Sequence, residues 1–381
     1  MTDGYLGKTY GVKSGEYGGL EAWLKDKRTL FLVAGDYTED LSVLSFIKSK
    51  VSCIKRFSDY DPNPDYKSIV KGINAFNDSD ADGIIAIGGG SAIDVAKCIR
   101  LWADAECTEG QTYLDIAENE IRHIRDIPFI AVPTTAGTGS EATRFAVIYY
   151  NGNKQSISSA YCMPDYAILD SSTLYSLPVY HRKSTMLDAL CHAAESWWSI
   201  NSTDESIEYS RKAMTEVLRH WEGYLDNTPE GNEGMLWAAH TAGMAINISK
   251  TTAGHAMCYK LTGLYGISHG HSAGLVNRIL FPWMVESLET KGGSPVIVEK
   301  RGENYLRNVF SDIAAVMGEH DARMGAYRLR EKIESLNLEK PVTSCRDYEV
   351  LRASVNSERL KNNPIFLDEQ AIDRIYHEVL K

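Results

Sequence analysis

Up to Leu177-Pro178 the chain alternates short apolar runs with longer stretches of helical periodicity. Leu30-Phe31-Leu32-Val33-Ala34 ends at Gly35-Asp36, and Gly83-Ile84-Ile85-Ala86-Ile87 ends at three glycines. Ile127-Pro128-Phe129-Ile130-Ala131-Val132 and Tyr166-Ala167-Ile168-Leu169-Asp170 are two more such runs. Runs of this length closed by Gly, Asp or Pro predict strands covered on both faces, as in a parallel sheet. Helices are expected between them, at Tyr66–Asn77 and Ala92–Ala103. Strand–helix alternation predicts a doubly wound α/β domain over residues 1–178. Beyond it, helical periodicity runs through His181–Ile200, Asp204–Leu225, Glu233–Ile248, Ile297–Ala315 and Asp368–Leu380, with no strand-like run competing. An all-α domain over residues 179–381 is expected.

Composition then narrows the class. A chain of 381 residues has room for two or three domains, and 44% hydrophobic with 24% charged residues excludes a disordered one. With 40 Lys+Arg against 51 Asp+Glu the formal net charge is −11. That argues against bulk nucleic-acid binding, which needs a basic face to displace counterions. Seven scattered cysteines never form Cys-x-x-Cys, a pattern of reduced thiols without a cysteine zinc site. The opening MTDGYLGKTYGVKSG has no basic segment followed by an apolar one, and no apolar run reaches bilayer length. A cytoplasmic protein with no membrane partner is expected.

Two turns carry the first chemistry. In IIAIGGGSAIDVAK (84–97) a strand runs into Gly88-Gly89-Gly90, and Ser91 opens a helix. Glycines let a backbone approach a phosphate, and a helix N-terminus offers free N–H groups. Ser91 is expected to cap this helix, with Asp94 reaching back in a capping box. The spacing is not that of a GxGxxG fingerprint. The turn after the next strand, PTTAGTGSE (133–141), is crowded with hydroxyls and two glycines. Turns at the C-terminal ends of neighbouring strands are where open α/β sheets bind ligands, which favours a nucleotide.

The helical half carries the second chemistry. Asp188 and His192 lie at i and i+4 on one face of MLDALCHAAESWW. His255 lies in TTAGHAMCYK and His269 and His271 in YGISHGHSAG. On one straight helix His255 and His269 would stand roughly 21 Å apart; Gly263, Gly266 and Gly270 allow the chain to turn back. A carboxylate with imidazoles suits a divalent first-row cation that polarises a substrate oxygen.

Taken together, GGGSAID (88–94), PTTAGTGSE (133–141), DALCHAAE (188–195) and the stretch from HAMCY to SHG (255–270) resemble the iron-dependent alcohol dehydrogenase family over most of the chain. The resemblance implies a dinucleotide-binding α/β domain and a helical domain, with metal and cofactor in the cleft between them; a homodimer is expected. It puts metal ligands on Asp188, His192, His255 and His269. It lays the diphosphate over Gly89, Gly90 and Ser91 with Asp94 nearby, and lines the dinucleotide with Thr134, Thr135, Thr138 and Thr143. Lys154 matches a basic position beside the cofactor, and Asn63 in Pro62-Asn63-Pro64 a turn near the adenosine. Fe²⁺ is the metal the likeness favours; Zn²⁺ suits the same donors.

Two positions depart from the family pattern. Many members carry a histidine, thought to relay a proton, four residues after the third ligand; here it is Tyr259. His271 is then either a substitute relay or a solvated or core histidine. NAD-preferring members tend to carry aspartate at the end of the first strand; here Gly35 stands there and Asp36 follows, so the cofactor is written NAD(P)H.

One branch looks nearer than the rest, the phosphonoacetaldehyde reductases, on AINISKTTAGHAMCY (245–259), DALCHAAESWWSINSTDES (188–206), YGISHGHSAG (265–274) and LKNNP (360–364). It implies NAD(P)H-linked reduction of phosphonoacetaldehyde to 2-hydroxyethylphosphonate. A phosphonate dianion needs cations; Arg144 and Lys250 are the candidates, against a role as surface charges or cofactor contacts. The proton would reach the product oxygen through solvent, Tyr259 or His271, with His271 or water favoured because a tyrosine is a weak donor at neutral pH. Other small aldehydes or alcohols (lactaldehyde, succinic semialdehyde, butanol) remain alternatives, and a cyclase related to dehydroquinate synthase a remote one.

Overall fold

Strands whose odd and even residues are both apolar need a cover on each face, and the fold supplies two. A computed structural model describes residues 8–12, 16–116, 118, 121, 126–289 and 295–381; residues 1–7 and 13–15, most of the opening MTDGYLGKTYGVKSG, lie outside them. The chain divides into two compact units, one ending at Leu177 and the other comprising Pro178–Lys381.

In the first unit the strands are β1 (Lys8–Val12), β2 (Thr29–Val33), β3 (Cys53–Phe57), β4 (Ile84–Gly88), β5 (Phe129–Pro133), β6 (Phe145–Tyr150), β7 (Asn153–Ser158) and β8 (Tyr166–Asp170). The helices are α1 (Gly18–Leu24), α2 (Ser42–Lys50), α3 (Tyr66–Asn77) and α4 (Gly90–Trp102). Six strands form a parallel sheet in the order β1-β8-β5-β4-β2-β3, while β6 and β7 pair as a separate antiparallel hairpin. Phe31, Val33, Ile84 and Ala86 face Ile69, Ile73 and Phe76 of α3 and Ile93 of α4. Their neighbours Leu30, Leu32, Ile85 and Ile87 face Leu20 and Leu24 of α1 and Val43, Leu44 and Ile47 of α2. The sheet is therefore doubly wound, as expected. The strand order reverses between β2 and β4, so the turns leaving β2, β4 and β5 open at a topological switch point.

In the second unit the helices are α5 (Val179–Trp198), α6 (Asp204–Arg219), α7 (Trp221–Leu225), α8 (Pro229–Ser249), α9 (Ala253–Tyr265), α10 (His269–Glu289), α11 (Glu303–Val316), α12 (Ala322–Glu334), α13 (Cys345–Ala353), α14 (Ser357–Leu360) and α15 (Glu369–Val379). Among the described residues the strand-like feature here is one bridge, Ile297 to Ile365. From Met186 to Trp198 every residue of α5 is buried, as expected of a helix enclosed on all sides. Thr228 caps α8 by accepting the Gly231 N–H, with Pro229 in the first turn. Gly266, at φ +65°, ends α9, and three residues later α10 begins at His269. Among the described residues, no helix is long and apolar enough to cross a membrane.

Candidate metal centre and dinucleotide turns

In the first unit, two loops interlock around the start of α4. A Cβ on Gly90 would lie 3.0 Å from Thr138 Cγ2, and one on Gly89 3.3 Å from Thr135 Cγ2. The Thr134 N–H donates to the Gly88 carbonyl at 3.0 Å, and the Asn63 N–H to Ser91 Oγ at 3.2 Å. Gly89, Gly90, Ser91, Asn63, Thr134, Thr135 and Thr138 thus share one neighbourhood, with the free N–H groups of α4 at its centre.

The expected capping box is not there. Gly89, not Ser91, is the N-cap, and Asp94 points into the second loop. It accepts from Ser140 Oγ at 2.6 Å and from the Val147 N–H at 2.9 Å. Lys97, which the sequence reading passed over, is fully buried one turn on. Its ammonium donates to Thr143 Oγ1 at 3.1 Å and to the Phe145 carbonyl at 2.6 Å, and lies 3.9 Å from Asp94 Oδ1. Burial pushes the Asp94 pKa up and that of Lys97 down, and each charge opposes the other's shift. The pair ties the second loop to α4. Lys154 sits on β7, with its charge felt at Asp94. Asp36 is exposed at the turn after β2. Arg144 is partly buried, its guanidinium 5.9 Å from the Phe145 ring centre.

In the second unit, the α5 residues Asp188 and His192 share a face. From Gly266 the chain returns along α9, which brings the His269 ring beside Cys258 and Tyr259. Three imidazole nitrogens converge on one oxygen: Asp188 Oδ1 lies 3.8 Å from His192 Nε2, 3.5 Å from His255 Nε2 and 4.0 Å from His269 Nε2. The candidate ligand atoms of Asp188, His255 and His269 all fall within 4.8 Å of one another. The His192 and His255 rings stack at 4.6 Å. Asp188 Oδ1 and His255 Nε2 are buried without a hydrogen-bond partner. Such atoms are costly to leave unsatisfied, and a cation among them would satisfy both. Three imidazoles and a carboxylate suit Fe²⁺, Zn²⁺, Co²⁺ or Ni²⁺. The residues fit a divalent metal.

A carboxylate that the sequence reading did not single out stands behind the cluster. Glu195 is fully buried on α5, seven residues after Asp188 and so on the same face. Its Oε1 lies 2.6 Å from His255 Nδ1. That i+7 spacing within DALCHAAE was the available signal. Gly254 and Gly270 are there for space. A Cβ on Gly254 would meet Glu195 Oε1 at 2.3 Å, and one on Gly270 the Ser184 carbonyl at 2.1 Å.

The charges follow from this packing. Burial would depress ionisation of His255, but the Glu195 charge, with Asp188, outweighs it and pushes the pKa up to about 9. Burial likewise opposes the Asp188 carboxylate, and His192, His255 and His269 together hold its pKa well below the usual range. Burial raises the Tyr259 hydroxyl. His271 has a different setting. It lies two residues after His269, roughly half a turn round α10, with Nδ1 3.3 Å from the Tyr180 hydroxyl. Burial alone lowers it to about 4.

Lys250 is exposed at the end of α8, with φ 62° and ψ 169°. The other positive-φ non-glycine residues described are Asn or Asp. This region of backbone space is essentially reserved for glycine and costs another residue about 1–3 kcal/mol. Two further cations near the start of α5 serve the fold: Arg182 is buried on Tyr224, Asn227 and Asn232, and Lys183 donates to the Leu336 carbonyl.

Comparison with known proteins identifies the family. Residues 10–171 match the family described as iron-containing alcohol dehydrogenase, and residues 183–380 the C-terminal region of the Fe-containing alcohol dehydrogenase family. A phosphonoacetaldehyde reductase of Streptomyces viridochromogenes is 31% identical over 78% of this chain and 76% of its own. Alcohol dehydrogenase 4 of Schizosaccharomyces pombe is 32% identical over 60% of this chain and 54% of its own. The crystal structure of an iron-containing alcohol dehydrogenase from Thermotoga maritima superposes with a TM-score of 0.81 at 26% identity, covering 99% of this chain and 98% of that one. With both halves matched by one family and the cluster and turns lying within those halves, the chain belongs to the iron-containing alcohol dehydrogenases and is an oxidoreductase.

Proposed function

We propose that this enzyme reduces a small aldehyde to a primary alcohol with NAD(P)H and a divalent metal, and that its aldehyde is phosphonoacetaldehyde. The observation that carries the reading is the convergence of His192, His255 and His269 on the buried, unpartnered Asp188 Oδ1. When bound, the cation supplies Lewis-acid polarisation of a carbonyl oxygen and the reduced nicotinamide supplies hydride.

The residues divide the remaining work. Asp188, His192, His255 and His269 hold the cation, most suitably Fe²⁺. The α4 N–H groups at Gly89, Gly90 and Ser91 receive the diphosphate. Thr134, Thr135, Thr138 and Thr143 line the dinucleotide, with Asn63 near the adenosine. Asp94 and Lys97 hold the second loop in shape, Asp36 faces the ribose, and Lys154 and Arg144 offer positive charge on the cofactor side. Lys250 meets the phosphonate. Its backbone strain is of a kind that clusters at functional sites, and it lies two residues before Thr252, whose N–H binds Glu195. The proton comes from water. His271 is uncharged at neutral pH, with Nδ1 on Tyr180 and Nε2 buried without a partner, whereas the His269 side chain keeps 30% exposure.

The test is NADH and NADPH oxidation by Fe²⁺-loaded protein with phosphonoacetaldehyde, lactaldehyde, succinic semialdehyde and butyraldehyde. A charge-assisted contact of about 1.5–3 kcal/mol predicts a roughly ten- to hundredfold preference in kcat/KM for the phosphonate. Equal or better turnover of butyraldehyde would overturn the substrate assignment. No NAD(P)H oxidation with any aldehyde would overturn the activity.

A further inference from the structure

The Glu195 carboxylate is surrounded by donors. Oε2 accepts from the Thr252 N–H at 2.7 Å, Thr252 Oγ1 at 2.9 Å and the His255 N–H at 3.3 Å. Oε1 accepts from Asn277 Nδ2 at 2.8 Å and faces His255 Nδ1 at 2.6 Å. A carboxylate has no proton to offer, so each of these contacts has one polarity. His255 Nδ1 must carry hydrogen, and in a neutral imidazole that leaves Nε2 as the lone-pair nitrogen. Nε2 is the atom that faces Asp188 Oδ1.

We propose that Glu195 is a positioning residue that fixes the His255 tautomer, and that its two acceptor oxygens, more than its shape, open His255 Nε2 to a divalent cation. This rests on the reading of Asp188, His192, His255 and His269 as a cation site.

Glutamine at 195 tests the polarity with the shape kept. Its amide has one acceptor and one donor end. Two backbone N–H groups at the Oε2 position cannot reverse, so the glutamine oxygen must stay there and its NH₂ must face His255 Nδ1. Asn277 can turn over to accept from that NH₂ only by giving up the bond from its Nδ2 to the Ala273 carbonyl at 3.0 Å, a cost that leaves the polarity at His255 Nδ1 unchanged. His255 can only respond by accepting at Nδ1, which moves its proton to Nε2 and closes that atom to a metal.

The experiment titrates chelator-stripped, full-length protein with Co²⁺, followed by its visible ligand-field bands, alongside far-UV circular dichroism and the Tm of the stripped form. Wild type is expected to bind one Co²⁺ and Asp188→Asn to bind it far more weakly. Glu195→Gln should keep its fold and lose about ten- to hundredfold in Co²⁺ affinity, the scale of outer-shell losses. A folded Glu195→Gln that binds Co²⁺ as wild type does would overturn the tautomer assignment alone. Should Glu195→Gln fail to fold, Glu195→Asp, which keeps both acceptors, is expected to stay within about tenfold of wild type; loss of binding there would also overturn it. If wild type binds no Co²⁺, or Asp188→Asn binds it equally, the cation site itself falls.

Discussion

The two units solve their binding problems with different material. The first uses backbone: glycines and N–H groups at the ends of β4 and β5, where proximity matters more than any one side chain. The second, on the proposed reading, uses side chains on helix faces, buried except for His269, with Glu195 orienting His255. A backbone site tolerates small displacement because its donors are many and alike. A site of four converging atoms has no such reserve.

The same substitution made in each unit should expose that difference most strongly. In Gly254→Ala the new methyl would stand 2.3 Å from both Glu195 Oε1 and Asn277 Nδ2, so the carboxylate behind His255 must move. Metal content and turnover should fall by at least about a hundredfold, the upper scale for outer-shell damage, as metal analysis and kcat would show. In Gly89→Ala the nearest atom is a threonine methyl at 3.3 Å, which a shift of a few tenths of an ångström relieves. There KM for NADH should rise only a few-fold, with metal content unchanged. Equal losses in both would erase the contrast.

The charges of the second unit give the next effect. The folded pKa of His255, about 9, lies above its ordinary 6.5. In metal-stripped protein its protonation therefore stabilises the fold fully below about pH 6.5, and that contribution is lost as pH rises through about 9. A cation needs Nε2 deprotonated, so binding near pH 7 should release a proton, and affinity should rise about tenfold per pH unit between 7 and 8. Co²⁺ calorimetry in buffers of different ionisation enthalpy counts that proton. A count of zero would mean that His255 is neutral before the metal arrives.

Lys250 sets function against fold within the second unit. Lys250→Gly should relieve the strain of φ 62° and ψ 169°, stabilising the protein by about 1 kcal/mol, read as a higher denaturant midpoint. The same change should raise KM for phosphonoacetaldehyde about tenfold, one lost charged contact, and leave butyraldehyde unaffected. Lys250→Ala should show the same rise in KM for phosphonoacetaldehyde without gaining stability.

What the sequence showed follows the same division. Continuous apolar runs revealed β2, β4, β5 and β8, the inner strands with both faces covered. They missed β3, where Lys55 and Arg56 interrupt the run, and β7, whose NKQSIS is polar; β6, FAVIYY, is itself an apolar run and was passed over with its partner. Edge strand β1, with its single valine and one tyrosine, gave no run either. Helix spacing put Asp188 and His192 on one face, and the Gly266 turn allowed His269 to return. What escaped was support. A buried lysine such as Lys97 has no local signature, because its partners Thr143 and Phe145 are 46 and 48 residues away. Asp94 fitted a capping pattern and is used instead on a loop that only tertiary structure brings near.

The smallest effect expected is at His271. A relay must lose and regain a proton near working pH, and burial alone holds this imidazole at about 4. It also must reach the reacting oxygen, yet its Nδ1 meets the Tyr180 hydroxyl, which in turn accepts the Ser268 N–H. That chain of contacts ties the start of α10 to α5 and needs no proton movement. His271→Leu keeps a similar volume in a buried position, so a modest drop in Tm is expected. Turnover should change less than about threefold, under 1 kcal/mol of barrier, with an unaltered pH profile. A loss beyond tenfold with a shifted acid limb would restore His271 as a proton carrier, and would make the second unit a site that supplies its own acid rather than one that borrows it from water.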